Sequence, residues 1–185
     1  MANTDTVSRP TQSTLDADRR DMLGLVLSGA LPLSLFVIAN GLAELNGIVP
    51  LFFAPFGLPG WFGAAVHIAS LPLFGVARWM VADRGSDGRH AGWWLVGLMA
   101  GSITLPFLVT PLDSLMLSLV AMALLVTALS AILRVAKVWP KAALVMLPGV
   151  FWMGLSAFIG LSLLAGWAPP FGLTNHNGQP KRRCP

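Results

Sequence analysis

The chain has 185 residues, of which 55% are apolar and only 11% charged. A water-soluble domain carries about a quarter charged residues, so water is excluded as the main solvent. The net charge of +4 is spread along the chain, and reads as membrane topology and contact with anionic lipid, not as a nucleic-acid footprint.

The first 21 residues are polar, rich in Ser, Thr and Asp, and are predicted to form a disordered tail. From Met22 to Ala43 the chain turns apolar for about 22 residues. That is too long for the apolar stretch of a secretory signal and suits the roughly 20 residues a helix needs to cross a 30 Å hydrocarbon core, so it is expected to stay as an anchor. Four more such stretches follow, near Trp61 to Ala82, Ala91 to Val109, Ser114 to Leu133 and Ala142 to Ala165. Pro72, Pro106 and Pro148 fall inside them. Membrane helices tolerate such prolines, because neighbouring helices re-satisfy the freed backbone groups. A β-barrel would alternate apolar and polar residues, whereas Leu115 to Ile132 is apolar on all sides. The fold class is therefore all-α integral membrane, a bundle of five transmembrane helices over residues 22–170, followed by a basic tail over 171–185. The single cysteine, Cys184, lies in that tail, so neither a disulfide framework nor a thiolate metal site is available.

Five spans place Arg9, Arg19, Arg20, Arg78, Arg84, Arg89, Arg134, Lys137 and Lys141 on one side and Lys181, Arg182 and Arg183 on the other. The positive-inside rule then predicts a cytoplasmic N-terminus and an external C-terminus.

Polar groups are costly within a membrane, so their clustering is the best guide to a site. Asn40, Glu44 and Asn46 end the first helix, His67 lies under two turns into the second, and Asp113 opens the fourth. All fall toward one face, beneath a first loop rich in Phe, Pro and Gly (residues 45–60). One reading is a pocket between helices closed by this loop. The other makes Glu44 and Asp113 helix-end charges, with Asp113 as an N-cap, and His67 a residue hydrogen-bonded to a neighbouring helix. No His-Glu-x-x-His, nucleophile with an obvious base, or Gly-rich phosphate loop is present. Gly97 and Gly101 form a GxxxG motif in the third helix, which lets another backbone approach, within the bundle or in a homodimer.

Five helices, a long first loop and seven tryptophans together resemble the TspO/MBR family of tryptophan-rich sensory or translocator proteins. Ala54 to Trp61 looks like that family's Pro- and Trp-rich approach to helix 2 with one residue deleted, and Phe74-Gly75-Val76-Ala77 looks like its Met-Gly-x-Ala. Leu147-Pro148-Gly149-Val150-Phe151-Trp152 is similar to the helix 5 signature Leu-Pro-Tyr-Leu-x-Trp, with the same Pro to Trp spacing. The chain departs from the family in having no tyrosine, in carrying His67 and Leu71 for a tryptophan and a tyrosine of helix 2, and in placing Gly101 and Thr104 at the Asn and Trp of helix 3.

The resemblance implies a receptor or carrier for a flat hydrophobic ligand such as a tetrapyrrole (porphyrin), a sterol-like lipid or a carotenoid, with transport or sensing as the outcome and no required cofactor. Carried over by position, Trp61, His67, Leu71, Gly101, Pro106 and Trp152 would line the pocket, with Phe52 and Phe53 on the loop. It also implies pairing through helix 3, at Gly97 and Gly101, and a bacterial cell membrane as the location. Two alternatives stay open: an enzyme acting on a terpenoid or carotenoid lipid with His67, Glu44 or Asp113 as acid or base, and a structural subunit of a membrane complex.

Overall fold

The computed structural model describes residues 12–109 and 111–167, all helices, turns and loops. The helices are α1 Gln12–Leu45, α2 Gly60–Ala82, α3 Gly85–Leu108, α4 Ser114–Val138 and α5 Pro140–Trp167. Each contains a stretch long and apolar enough to cross a bilayer, which makes this an integral, multi-pass membrane protein. Residues 1–11 of the predicted N-terminal tail, residues 168–170 and the whole predicted C-terminal tail, 171–185, lie outside the described residues.

Four helices extend further than hydropathy predicts. α1 begins at Gln12 and not Met22, α3 at Gly85 and not Ala91, α4 continues to Val138, and α5 starts at Pro140. Hydropathy registers only what lies in hydrocarbon. A helix can continue for several turns through the headgroup layer, where water and lipid satisfy its polar side chains. Pro140 suits the first position of α5 because its missing N–H has no helical partner there anyway.

Helix α2 touches the other four, while among the helices, as far as the described residues go, α1 packs on α2 and α3 alone, outside the four-helix cluster α2–α5. One narrow stripe of α1 is buried, Gly29, Pro32 and Phe36, at the spacing of one helical face. The α1–α2 crossing is close: a Cβ on Gly75 would overlap the Ser28 carbonyl. That carbonyl is the one whose i+4 partner, Pro32, has no N–H to donate. The Cα–H of Gly75 therefore points at an acceptor the helix itself leaves open, a weak but recurring contact at helix crossings.

The main core fills the half of the bundle away from the first loop. Phe74, Ala77 and Val81 of α2 meet Leu95, Leu98 and Met99 of α3, Leu124, Ala128, Ala131 and Val135 of α4, and Ala142, Met146 and Val150 of α5. The alanines bring backbones together, which matters in lipid because dispersion contacts, and not escape from water, hold such helices. Nearer the loop a smaller cluster of Phe36, Leu71 and Ile103 joins α1, α2 and α3. Between α3, α4 and α5 at that level the main core has ended, and the interior opens.

Candidate functional site

The loop of residues 46–59 is tied to the helices at two points and braced by a turn of its own. Leu51 N–H donates to the Pro106 carbonyl at 3.0 Å, one of the last carbonyls of α3 and so without a helical partner. The backbone of Phe53 rests on α2 at Gly63, where a Cβ would overlap the Phe53 carbonyl. Pro55 to Leu58 form a tight turn closed by a 3.1 Å bond, with Phe56 at φ 57° and Gly57 at φ 72°. Both central residues are left-handed, an arrangement that Gly accepts and Phe adopts only under strain.

Held this way, the loop turns Phe52 and Phe53 inward. Beneath them lies a cavity of about 170 Å³, walled by His67 of α2, Leu105 and Pro106 of α3, Leu117, Ser118 and Ala121 of α4, and Trp152, Met153 and Ser156 of α5. Aromatic contacts set its shape. The Trp152 ring meets Phe53 edge-on at 5.8 Å and Phe62 at 6.0 Å. Phe52 lies 5.6 Å from the His67 ring and 6.1 Å from Phe36, and Phe36 reaches Phe107 at 5.9 Å.

Among the described residues His67 is the one ionisable side chain on the wall, and its place follows from Pro106. In a regular helix the N–H of residue 106 would bond the Ser102 carbonyl. Proline removes that donor. His67 Nε2 stands 2.9 Å from the same carbonyl, and because a carbonyl can only accept, Nε2 carries the proton and Nδ1 is left as an acceptor. Among the described residues no buried side-chain nitrogen or oxygen lacks a partner. His67 is at the same time one of the residues that line the cavity. Both readings of His67 hold together, a bond to a neighbouring helix and a place on a cavity wall.

Of the residues the resemblance points to, Phe52, Phe53, His67, Pro106 and Trp152 are on one wall. Trp61, Leu71 and Gly101 are elsewhere. Trp61 is 70% exposed at the start of α2, the level at which tryptophans sit between lipid and water. Leu71, one turn below His67, is fully buried against Phe36 and Ile103. Gly101 faces Leu124, whose Cδ1 fills the place of a side chain, so it serves α3–α4 packing. Gly97 has open space beside it. Pro148 is exposed although Trp152, one turn on, faces inward; Gly149 is the residue that meets the bundle, against Phe74.

The two carboxylates are also off the wall. Glu44 is exposed at the end of α1. Asp113 accepts from Met116 N–H at 2.7 Å and caps α4, which satisfies one of the orphan donors of a helix start. Ser118, Met153 and Ser156, which sequence reasoning did not single out, complete the wall. Helical spacing alone cannot find them in stretches that are apolar all round.

Among the described residues no cluster of His, Cys, Asp and Glu suited to a metal ion occurs. No protein-family model, curated protein or solved structure matches this chain.

Proposed function

We propose that the protein is a membrane receptor or carrier that takes one end of a flat hydrophobic ligand into the cavity under its first loop. The carrying observation is a largely apolar, aromatic cavity whose wall carries a few polar side chains, His67, Ser118 and Ser156. Mostly apolar walls with few polar groups are what ligand pockets have in common.

Size narrows the ligand. A cavity of about 150 Å³ holds a benzene ring, and whole drug-sized ligands need about 300 Å³ or more. At about 170 Å³ this one accepts a single ring or branched chain end. Of the classes named above, a carotenoid offers one terminal ring of that width and a sterol-like lipid can offer its end ring, while a tetrapyrrole presents four rings and requires the loop to lift. A hydroxyl on the inserted ring would donate to His67 Nδ1, and the rest of the ligand would lie in lipid. The enzyme alternative has less support, since among the described residues neither Glu44 nor Asp113 lines the cavity with His67, and Asp113 caps α4.

The charge bias of nine to three supports a cytoplasmic N-terminus, and a bacterial cell membrane rests on the resemblance alone. A homodimer through α3 would use the open face at Gly97 without Gly101.

The test is extraction in mild detergent, followed by an absorption spectrum and mass spectrometry of bound small molecules. A co-purifying pigment or sterol-like lipid that Trp152→Ala weakens by about tenfold to a hundredfold, as aromatic anchors do, with unchanged helicity, is the expected result. Ligand-free protein that binds neither class on addition refutes the reading.

A further inference from the structure

At the end of the bundle opposite the first loop, the first turns of α3 and the last turns of α4 border an open groove of about 790 Å³. Arg84, Asp87 and His90 stand on one side and Arg134 and Lys137 on the other. Three permanent cations face one carboxylate. His90 Nδ1 donates to its own helix at the Ser86 carbonyl, 2.8 Å away, which leaves Nε2 available.

Two features separate this groove from scattered surface charge. The Arg84 guanidinium lies 3.6 Å over the Trp139 ring and that of Arg134 4.9 Å over Trp94. Stacking holds a guanidinium by its face and leaves the N–H edges free for oxygens, the geometry that suits phosphate. In addition, α3 begins at the groove with no side-chain cap at its N-cap residue Arg84, so the positive end of a 24-residue helix adds to the field.

We propose that this groove is a binding site for the phosphate group of an anionic phospholipid. The phosphate chemistry follows from the two stacked guanidiniums, and the lipid source from what lies next to them. Leu133 lines the groove, and with Leu129 and Val126 it forms an exposed stripe along α4, at 64%, 47% and 58% exposure. The spacing of three and four residues puts all three on one helix face. A headgroup in the groove thus has an apolar track for an acyl chain running from it into the hydrocarbon, which a soluble phosphate does not use. Basic pockets between helix ends are where acidic headgroups bind in membrane proteins.

The full chain in lipid nanodiscs, with equal phosphatidylglycerol and phosphatidylcholine, is released into detergent and its retained lipids are counted by native mass spectrometry. Wild type is expected to retain phosphatidylglycerol preferentially. Arg134→Gln/Lys137→Gln, which changes two exposed residues and leaves the core intact, should lower that preference by about tenfold or more, through loss of charge-assisted hydrogen bonds to the phosphate. Arg78→Gln/Arg89→Gln removes the same charge from the same end but outside the groove and should leave it near wild type. Equal losses in the two variants mean general surface attraction and overturn the proposal. So does wild type without a preference. Thermal stabilisation of lipid-free protein by millimolar inorganic phosphate, with no lipid retained, assigns the groove to a soluble anion and overturns the lipid source.

Discussion

The pairing of His67 with the carbonyl that Pro106 leaves open can be measured as a coupling. Replacing His67 by Leu keeps the volume and removes the donor at 2.9 Å, so the Ser102 carbonyl loses its partner inside the bundle. An unsatisfied buried acceptor costs about 1–3 kcal/mol in soluble proteins, while hydrogen bonds between membrane helices average about 0.6 and reach about 1.7 kcal/mol. About 1 kcal/mol is therefore expected for His67→Leu. Pro106→Ala restores the N–H that an α-helix directs to residue 102, so in that background the carbonyl no longer needs His67, and the cost of His67→Leu should fall close to zero. The difference between the two costs is the coupling, about 1 kcal/mol, and any effect of straightening α3 cancels in the cycle. Reversible unfolding by dodecyl sulfate in mixed micelles, followed by far-UV circular dichroism, gives all four free energies. Costs of His67→Leu that agree within about 0.5 kcal/mol in the two backgrounds would refute the reasoning.

Other positions give independent checks. Gly63→Val pushes a side chain into the Phe53 carbonyl and should lift the loop, at about 1–3 kcal/mol for overpacking. Limited proteolysis within residues 46–59 should accelerate, and an unchanged cleavage rate would mean the loop is not held at Gly63. Gly101→Leu drives into Leu124 and should destabilise the fold by a similar amount, whereas Gly97→Leu, beside open space, should be close to neutral in the same unfolding assay. If light scattering of purified protein finds a dimer, only Gly97→Leu should change its mass while the fold is kept. Phe56→Asn relieves a left-handed, 83% exposed phenylalanine and creates the Asn-Gly pair such turns favour. It should stabilise the protein by about 0.5–1 kcal/mol, since the left-handed form costs about 1–2 kcal/mol for an ordinary residue; a lower melting temperature would mean that Phe56 has contacts worth more than its strain.

Sequence by itself determined the spans, because crossing about 30 Å of hydrocarbon takes a length of apolar chain that few other structures require. Hydropathy located all five helices and the polar ends between them, and the resemblance drew attention to five residues that share the cavity wall, Phe52, Phe53, His67, Pro106 and Trp152. It did not decide which face of each helix turns inward. In water the polar face of a helix marks its outside, but lipid tails are as apolar as leucine. Phe151 is 74% exposed and Leu71 fully buried, and nothing in either side chain tells them apart. Prolines carried more information than their number implied, since Pro106 and Pro32 each orphan a carbonyl, yet only the tertiary structure paired these with His67 and Gly75. The same holds for the charged residues. Asp113 could be an acid at a site or a cap until its bond to Met116 was seen. Arg84 and Arg134, fifty residues apart, meet across one groove because α3 and α4 run side by side, a proximity that chain order does not encode.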